Sequence, residues 1–88
     1  VIRFRDIFTD WTARYSLGND DRTGNPYLSI PVTIRVVDYD EYYTLSVAEY
    51  ERFLEVPADA ASFADACRRH ERDDRLIVQP GGNRGTPM

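Results

Sequence analysis

Five apolar residues, Leu28, Ile30, Val32, Ile34 and Val36, alternate strictly with Tyr27, Ser29, Pro31, Thr33 and Arg35. Side chains on a strand point alternately to opposite faces, so this run predicts a strand with one face buried. Pro31 has no N–H to give to a ladder and places an edge or a pairing irregularity at its position. Whatever the rest of the chain does, it has to cover that apolar face.

The first seventeen residues also alternate, but with a slip of phase. Ile2, Phe4 and Phe8 fall on even positions, whereas Trp11, Ala13, Tyr15 and Leu17 fall on odd ones. An apolar set that changes parity changes sides of a sheet unless a residue is inserted, so Asp6 to Asp10 is expected to hold a β-bulge or a break between two short strands. Gly18 to Pro26 is dense in turn-forming residues and is expected to be a surface loop.

After the strand come Asp38, Tyr39, Asp40, Glu41, Tyr42 and Tyr43, which are read as the tip of a β-hairpin leading into a short strand to Leu45. Unpaired carboxylates do not pack into a core, and bare tyrosines at a tip are costly unless something covers them. An acidic, aromatic patch of this kind suits docking on a basic protein surface.

Ser46-Val47-Ala48-Glu49 is a capping box, with Leu45 and Tyr50 at the staple positions that flank it. Val47, Tyr50 and Phe53 or Leu54 continue at helical spacing, and Pro57 ends that helix by Val56. A second helix is expected from about Asp59 or Ser62 to about Glu71, with Phe63, Ala66, Cys67 and His70 on one face. Leu76 to Val78 reads as a last short strand. The chain is therefore expected to be α+β: a small antiparallel sheet, order β-β-β-α-α-β, packed against two short helices. The domain is expected to span 1–79, with 80–88 a flexible C-terminal tail.

Composition excludes more than it assigns. The single cysteine rules out an internal disulfide framework, so an 88-residue core must suffice without covalent help. Net charge is −4 and all eleven basic residues are arginine. That balance disfavours direct nucleic-acid binding, and the absence of lysine removes Schiff-base chemistry and the P-loop lysine. Arg68, Arg69, Arg72 and Arg75 are interleaved with Glu71, Asp73 and Asp74, which cancels them as a basic patch. One His and one Cys defeat every zinc pattern. Asn19-x-Asp21-x-Thr23-Gly24 begins like a calcium loop, but Ile30 stands where the bidentate glutamate belongs. Cys67 and His70 lack an orienting third group for nucleophilic catalysis, and a lone cysteine on an apolar helical face reads as a core residue. No cofactor, metal or enzymatic activity is expected. No membrane span or signal-peptide pattern is present in the sequence, so a cytoplasmic protein is expected.

In size and acidity the chain is similar to small proteins that bind and block another macromolecule, such as toxin-immunity, anti-CRISPR and anti-restriction proteins. The expectation is a non-enzymatic module that occupies a basic, nucleic-acid-binding surface of a target protein through Asp38, Tyr39, Asp40, Glu41, Tyr42 and Tyr43. The alternatives are a homodimeric or larger structural or regulatory subunit, in which the tyrosines or a strand edge meet their own copies, and a small enzyme.

Overall fold

The computed structural model describes residues 3–80 and 84–88. Ile2 lies outside the described residues, as do Gly81, Gly82 and Asn83 of the expected tail. An antiparallel meander comes first: β1 (Phe4–Asp10), β2 (Tyr15–Asp20), β3 (Pro26–Ile34) and β4 (Val37–Thr44). Two helices follow, α1 (Val47–Glu55) and α2 (Pro57–Arg68), then a 3-10 turn at Asp73–Arg75 and a two-residue strand, β5 (Thr86–Pro87). The sheet order is β1-β2-β3-β4, with β5 pairing on β3. The architecture is a small α+β fold, its helices laid on one face of an antiparallel sheet.

The strict alternation of β3 does what its pattern requires. Leu28, Ile30 and Val32 are fully buried beneath the helices, with Leu17 from β2, Tyr43 from β4, and Phe53, Ala60, Ala64 and Cys67 from α1 and α2. Ile34 ends the strand, and Val36 leaves the core altogether, because Arg35 and Val36 form a two-residue hairpin loop between Ile34 and its partner Val37. Arg35 adopts φ 56°, the left-handed conformation that such a loop demands. The phase slip near the start has two causes. The β1–β2 register shifts between Asp6 and Phe8, which inserts Ile7 as a bulge, and residues 11–14 then form a turn. The stretch expected as a surface loop is shorter than its composition suggests, since Gly18, Asn19 and Asp20 all belong to β2.

Both halves of the capping box are made: the Glu49 N–H donates to Ser46 Oγ (3.1 Å) and the Ser46 N–H to Glu49 Oε1 (2.9 Å). α2 starts earlier than expected, at Pro57, where a residue without an N–H costs the helix nothing. It ends earlier too. His70 takes φ 61°, the His70 N–H donates to the Cys67 carbonyl and the Glu71 N–H to the Ala66 carbonyl, which is a Schellman stop with histidine where glycine is usual. His70 is thereby exposed while Cys67 is fully buried, so the two do not share a helical face. Leu76 to Val78 is not a strand. It contributes one bridge, Leu76 to Tyr43, and the Ile77 N–H donates to the Tyr42 carbonyl.

Residues 84–88, expected in a flexible tail, lie against the sheet. Thr86 and Pro87 pair with Thr33 and Val32 on the stretch of β3 that β2 leaves uncovered. Gly85 passes so close that a Cβ there would stand 2.6 Å from the Thr33 carbonyl oxygen. Its N–H donates to Tyr39 Oη, and the Arg84 guanidinium reaches Glu41 and Asp73. No helix among the described residues is long and apolar enough to cross a membrane.

Candidate protein-docking face

The face of the sheet opposite the helices is concave. Phe4 on β1 and Tyr42 on β4 are separated by two strands, yet their rings stack at 3.7 Å between centroids and 8° between planes. Only a sheet curled toward this face brings its two edges together. Tyr27 stands edge-on to both rings, at 5.5 Å from Phe4 and 5.0 Å from Tyr42. Gly18 makes room for it, since a Cβ there would come within 2.5 Å of Tyr27 Oη. The Tyr27 hydroxyl donates to Asp6 Oδ1 at 2.5 Å. Burial, then this bond to Asp6, pushes the Tyr27 phenol far above its ordinary value.

Beyond this aromatic floor, toward the β1–β2 turn, the concavity opens into a groove of about 420 Å³. Asp6 and Thr9 line it from β1, Ser16 from β2, Ser29 and Pro31 from β3 and Asp40 from β4, with Asp10, Trp11 and Arg14 at the turn end and Met88 beside Pro31. The turn is held rigidly. Asp10 Oδ1 accepts from the Thr12 and Ala13 N–H groups, the Arg14 N–H donates to the Asp10 carbonyl, and Arg68 from α2 donates to the Ala13 and Arg14 carbonyls. Arg14 takes φ 58° to close it. Trp11 is carried on this fixed turn with 86% of its surface exposed.

The charges on this face differ from most of those elsewhere, where only the exposed Glu51 and Glu55 of α1 and Asp74 of the 3-10 turn lack an ion pair among the described residues. Asp20, Asp21, Glu41, Glu49, Asp59, Asp65, Glu71 and Asp73 each pair with an arginine. Asp6, Asp10, Asp38 and Asp40 have no ion-pair partner among the described residues. By register, Asp6 pairs across to Gly18, Asp40 to Pro31 and Asp38 to Thr33, so Asp6, Asp38 and Asp40 share the concave face. Asp40 stays exposed at the groove, yet partial desolvation, followed by the Asp6 charge, raises its carboxyl above the ordinary aspartate value. Burial, then the Asp40 and Asp6 charges, pushes the Tyr42 phenol up to about 12.

The six residues expected at a hairpin tip are instead the body of β4. The tip is Arg35–Val36, and alternation along β4 divides the six between two faces. Asp38, Asp40 and Tyr42 lie on the concave face. Tyr39, Glu41 and Tyr43 lie on the helix side. Glu41 is only 5% exposed, and Tyr43 is fully buried with its hydroxyl donating to Glu41 Oε1 (2.9 Å). Glu41 and Tyr43 are therefore held inside the fold and are not free to meet a partner. Tyr39 packs against the core and bonds Gly85.

Asp6, Asp10 and Trp11 line the groove but are not among the residues the sequence marks for a site, whereas Arg14 is marked only with Arg3 and Arg5 as a basic candidate for nucleic acid. The bulge that slips the first alternation is the signal that sets Asp6 and Trp11 apart from it. Elsewhere, the carboxylate of Asp20, inside the calcium-like stretch, takes two bonds of 3.0 Å from Arg3 and others from the Arg22 N–H and Thr23 Oγ1. Among the described residues no cluster of three or more His, Cys, Asp or Glu side chains is placed to hold a metal ion. Burial pushes the Cys67 thiol up to about 12, against the pull of Arg72 and Arg68. No family model, curated protein or solved structure matches the chain.

Proposed function

We propose that the protein is a non-enzymatic binding module of the inhibitor or immunity kind, which lays the acidic concave face of its sheet on a basic surface of a target protein. The observation that carries this is the segregation of charge. Eight carboxylates elsewhere in the fold pair with arginine and Glu51, Glu55 and Asp74 are exposed on α1 and the 3-10 turn, whereas Asp6, Asp38 and Asp40 share one face with no ion-pair partner among the described residues, beside an exposed tryptophan. Complementary charge steers association, and a rigid aromatic supplies desolvated contact. A protein surface that accepts this array is one suited to phosphates, so docking blocks nucleic-acid binding by the target.

The test compares the parent with the triple variant Asp6→Asn, Asp38→Asn, Asp40→Asn as immobilised baits in one lysate. Proteins held by the parent, released by added nucleic acid and lost from the triple variant support the proposal. Retention of the same proteins by both baits refutes it. A second reading, self-association, has its own observation: β1 is an outer strand on which Ile7 and Phe8 are 58% and 40% exposed. Sedimentation of the isolated protein separates the two.

A further inference from the structure

We propose that the groove between Trp11, Asp6 and Asp40 receives an arginine side chain of the partner, its guanidinium stacked on the Trp11 indole and its N–H groups donated to the two carboxylates. The assignment rests on the acidic face being a protein-docking surface and names what enters it.

Three features point to this occupant. First, the groove holds negative charge on two strands, and neither Asp6 nor Asp40 is neutralised by a basic side chain of this protein. Arg14 stands at the rim but makes no ion pair with either. Second, the groove presents an exposed indole, carried on a turn that its own hydrogen bonds and Arg68 hold in place. A planar cation gains from an aromatic face and from carboxylate oxygens at once. Third, the floor offers the Ser16 and Ser29 hydroxyls, with Thr9 Oγ1 and Ser16 Oγ already bonded to each other at 2.9 Å. Hydroxyls accept the N–H groups that two carboxylates leave over, and guanidinium has five to place.

Competing occupants fit less well. A hard metal ion needs more oxygen ligands than Asp6 and Asp40 provide, and has no use for the indole. A lysine ammonium is compact and strongly hydrated, so it loses more on entering a half-dry groove and stacks less well on indole. A phosphate or other anion meets two like charges.

Trp11 is the sole tryptophan, so its fluorescence reports on this groove alone. The experiment titrates the full chain at low salt with acetyl-Gly-Arg-Gly-amide and, in parallel, with acetyl-Gly-Lys-Gly-amide. A saturable change with the arginine peptide, about tenfold weaker with the lysine peptide and about tenfold weaker in Asp40→Asn, is the expected result, each step being the loss of one stacked or charge-assisted contact. Trp11→Leu, at an exposed position where folding is indifferent, should weaken binding about as much when calorimetry replaces fluorescence. No saturable signal, equal response to the two peptides, or parent-like affinity in Asp40→Asn overturns the assignment. If that happens while the triple variant still loses the captured proteins, the acidic face remains the docking surface and only its arginine pocket is wrong. Failure of both removes the face itself.

Discussion

Arg84 is expected to be one of the costliest residues in the chain to truncate, although it lies in a segment whose composition reads as a tail. Its Nε and Nη2 donate to the two oxygens of Glu41 at 2.8 and 3.1 Å, and Nη1 and Nη2 donate to Asp73 at 2.7 and 2.9 Å. Glu41 is 5% exposed, and its other bond is from the Tyr43 hydroxyl. Arg84→Ala would leave a buried carboxylate with one neutral donor. Removing one partner of a buried pair costs about 3–5 kcal/mol. Arg84 keeps 19% of its side-chain surface in water, so some solvent reaches the pair and the lower end applies, about 3 kcal/mol. The partly exposed Asp73 contact adds little, about 0–1 kcal/mol. In a domain of this size that corresponds to a fall in Tm of roughly 12–24 °C.

Urea unfolding at neutral pH measures the effect, and a variant that removes the charge tests its cause. Glu41→Gln in the Arg84→Ala background should recover much of the loss, because a neutral amide tolerates burial beside Tyr43 where a carboxylate does not. An Arg84→Ala midpoint within about 0.5 kcal/mol of the parent would refute the reasoning, since that is the size of an ordinary surface change.

Ser46→Ala should cost about 0.5–2 kcal/mol in the same assay, since the cap satisfies two helix-end groups; an unchanged midpoint would place the helix start elsewhere. Tyr15 Oη is buried and finds no hydrogen-bond partner among the described residues, so Tyr15→Phe should leave stability unchanged or raise it by up to about 1–3 kcal/mol, and a loss would reveal a partner. Asp40 faces Asp6 from β1 and Tyr42 on its own strand, with Asp10 and Arg14 at the groove end; because its folded carboxyl is raised, stability is lost as pH climbs from the ordinary aspartate range through the raised value, and Asp40→Asn should flatten that loss. Binding of an arginine peptide should strengthen across the same window as Asp40 ionises, which proton-coupled titration checks; a stability profile identical in the two proteins would exclude the shift.

Local chemistry was legible wherever one residue's neighbours in sequence are also its neighbours in space. The Ser46 cap, the buried face of β3 and the bulge before Phe8 all satisfy that condition. The β3–β4 turn does not advertise itself, because Arg35 and Val36 are poor turn residues held in place by the eight paired positions behind them. With no turn signal at 35–36, the carboxylates of 38–41 are the stronger local sign of a tip, several residues beyond the true one. Docking of 84–88 was invisible for another reason. Arg84 meets Glu41 from 43 residues away, and no local pattern carries that information.

The displaced tip also explains why the acidic run is split between two environments. Strand geometry sorts a run of alternating residues onto two faces, and here it puts opposite demands on chemically similar groups. Glu41 faces the helices, where a carboxylate survives because Arg84, just before β5, pairs with it. Asp40, its neighbour, faces the concavity, where Arg14 stands at the rim without pairing to it and Asp6 adds a second negative charge. The fold could have neutralised both, as it does for Asp20 and Asp73, and the cost of leaving Asp40 beside Asp6 falls on stability. Uncompensated charge in a walled groove is what a binding surface retains and a purely structural one sheds. Of the two acidic residues, the one without an internal ion-pair partner is therefore the one placed on the proposed docking face.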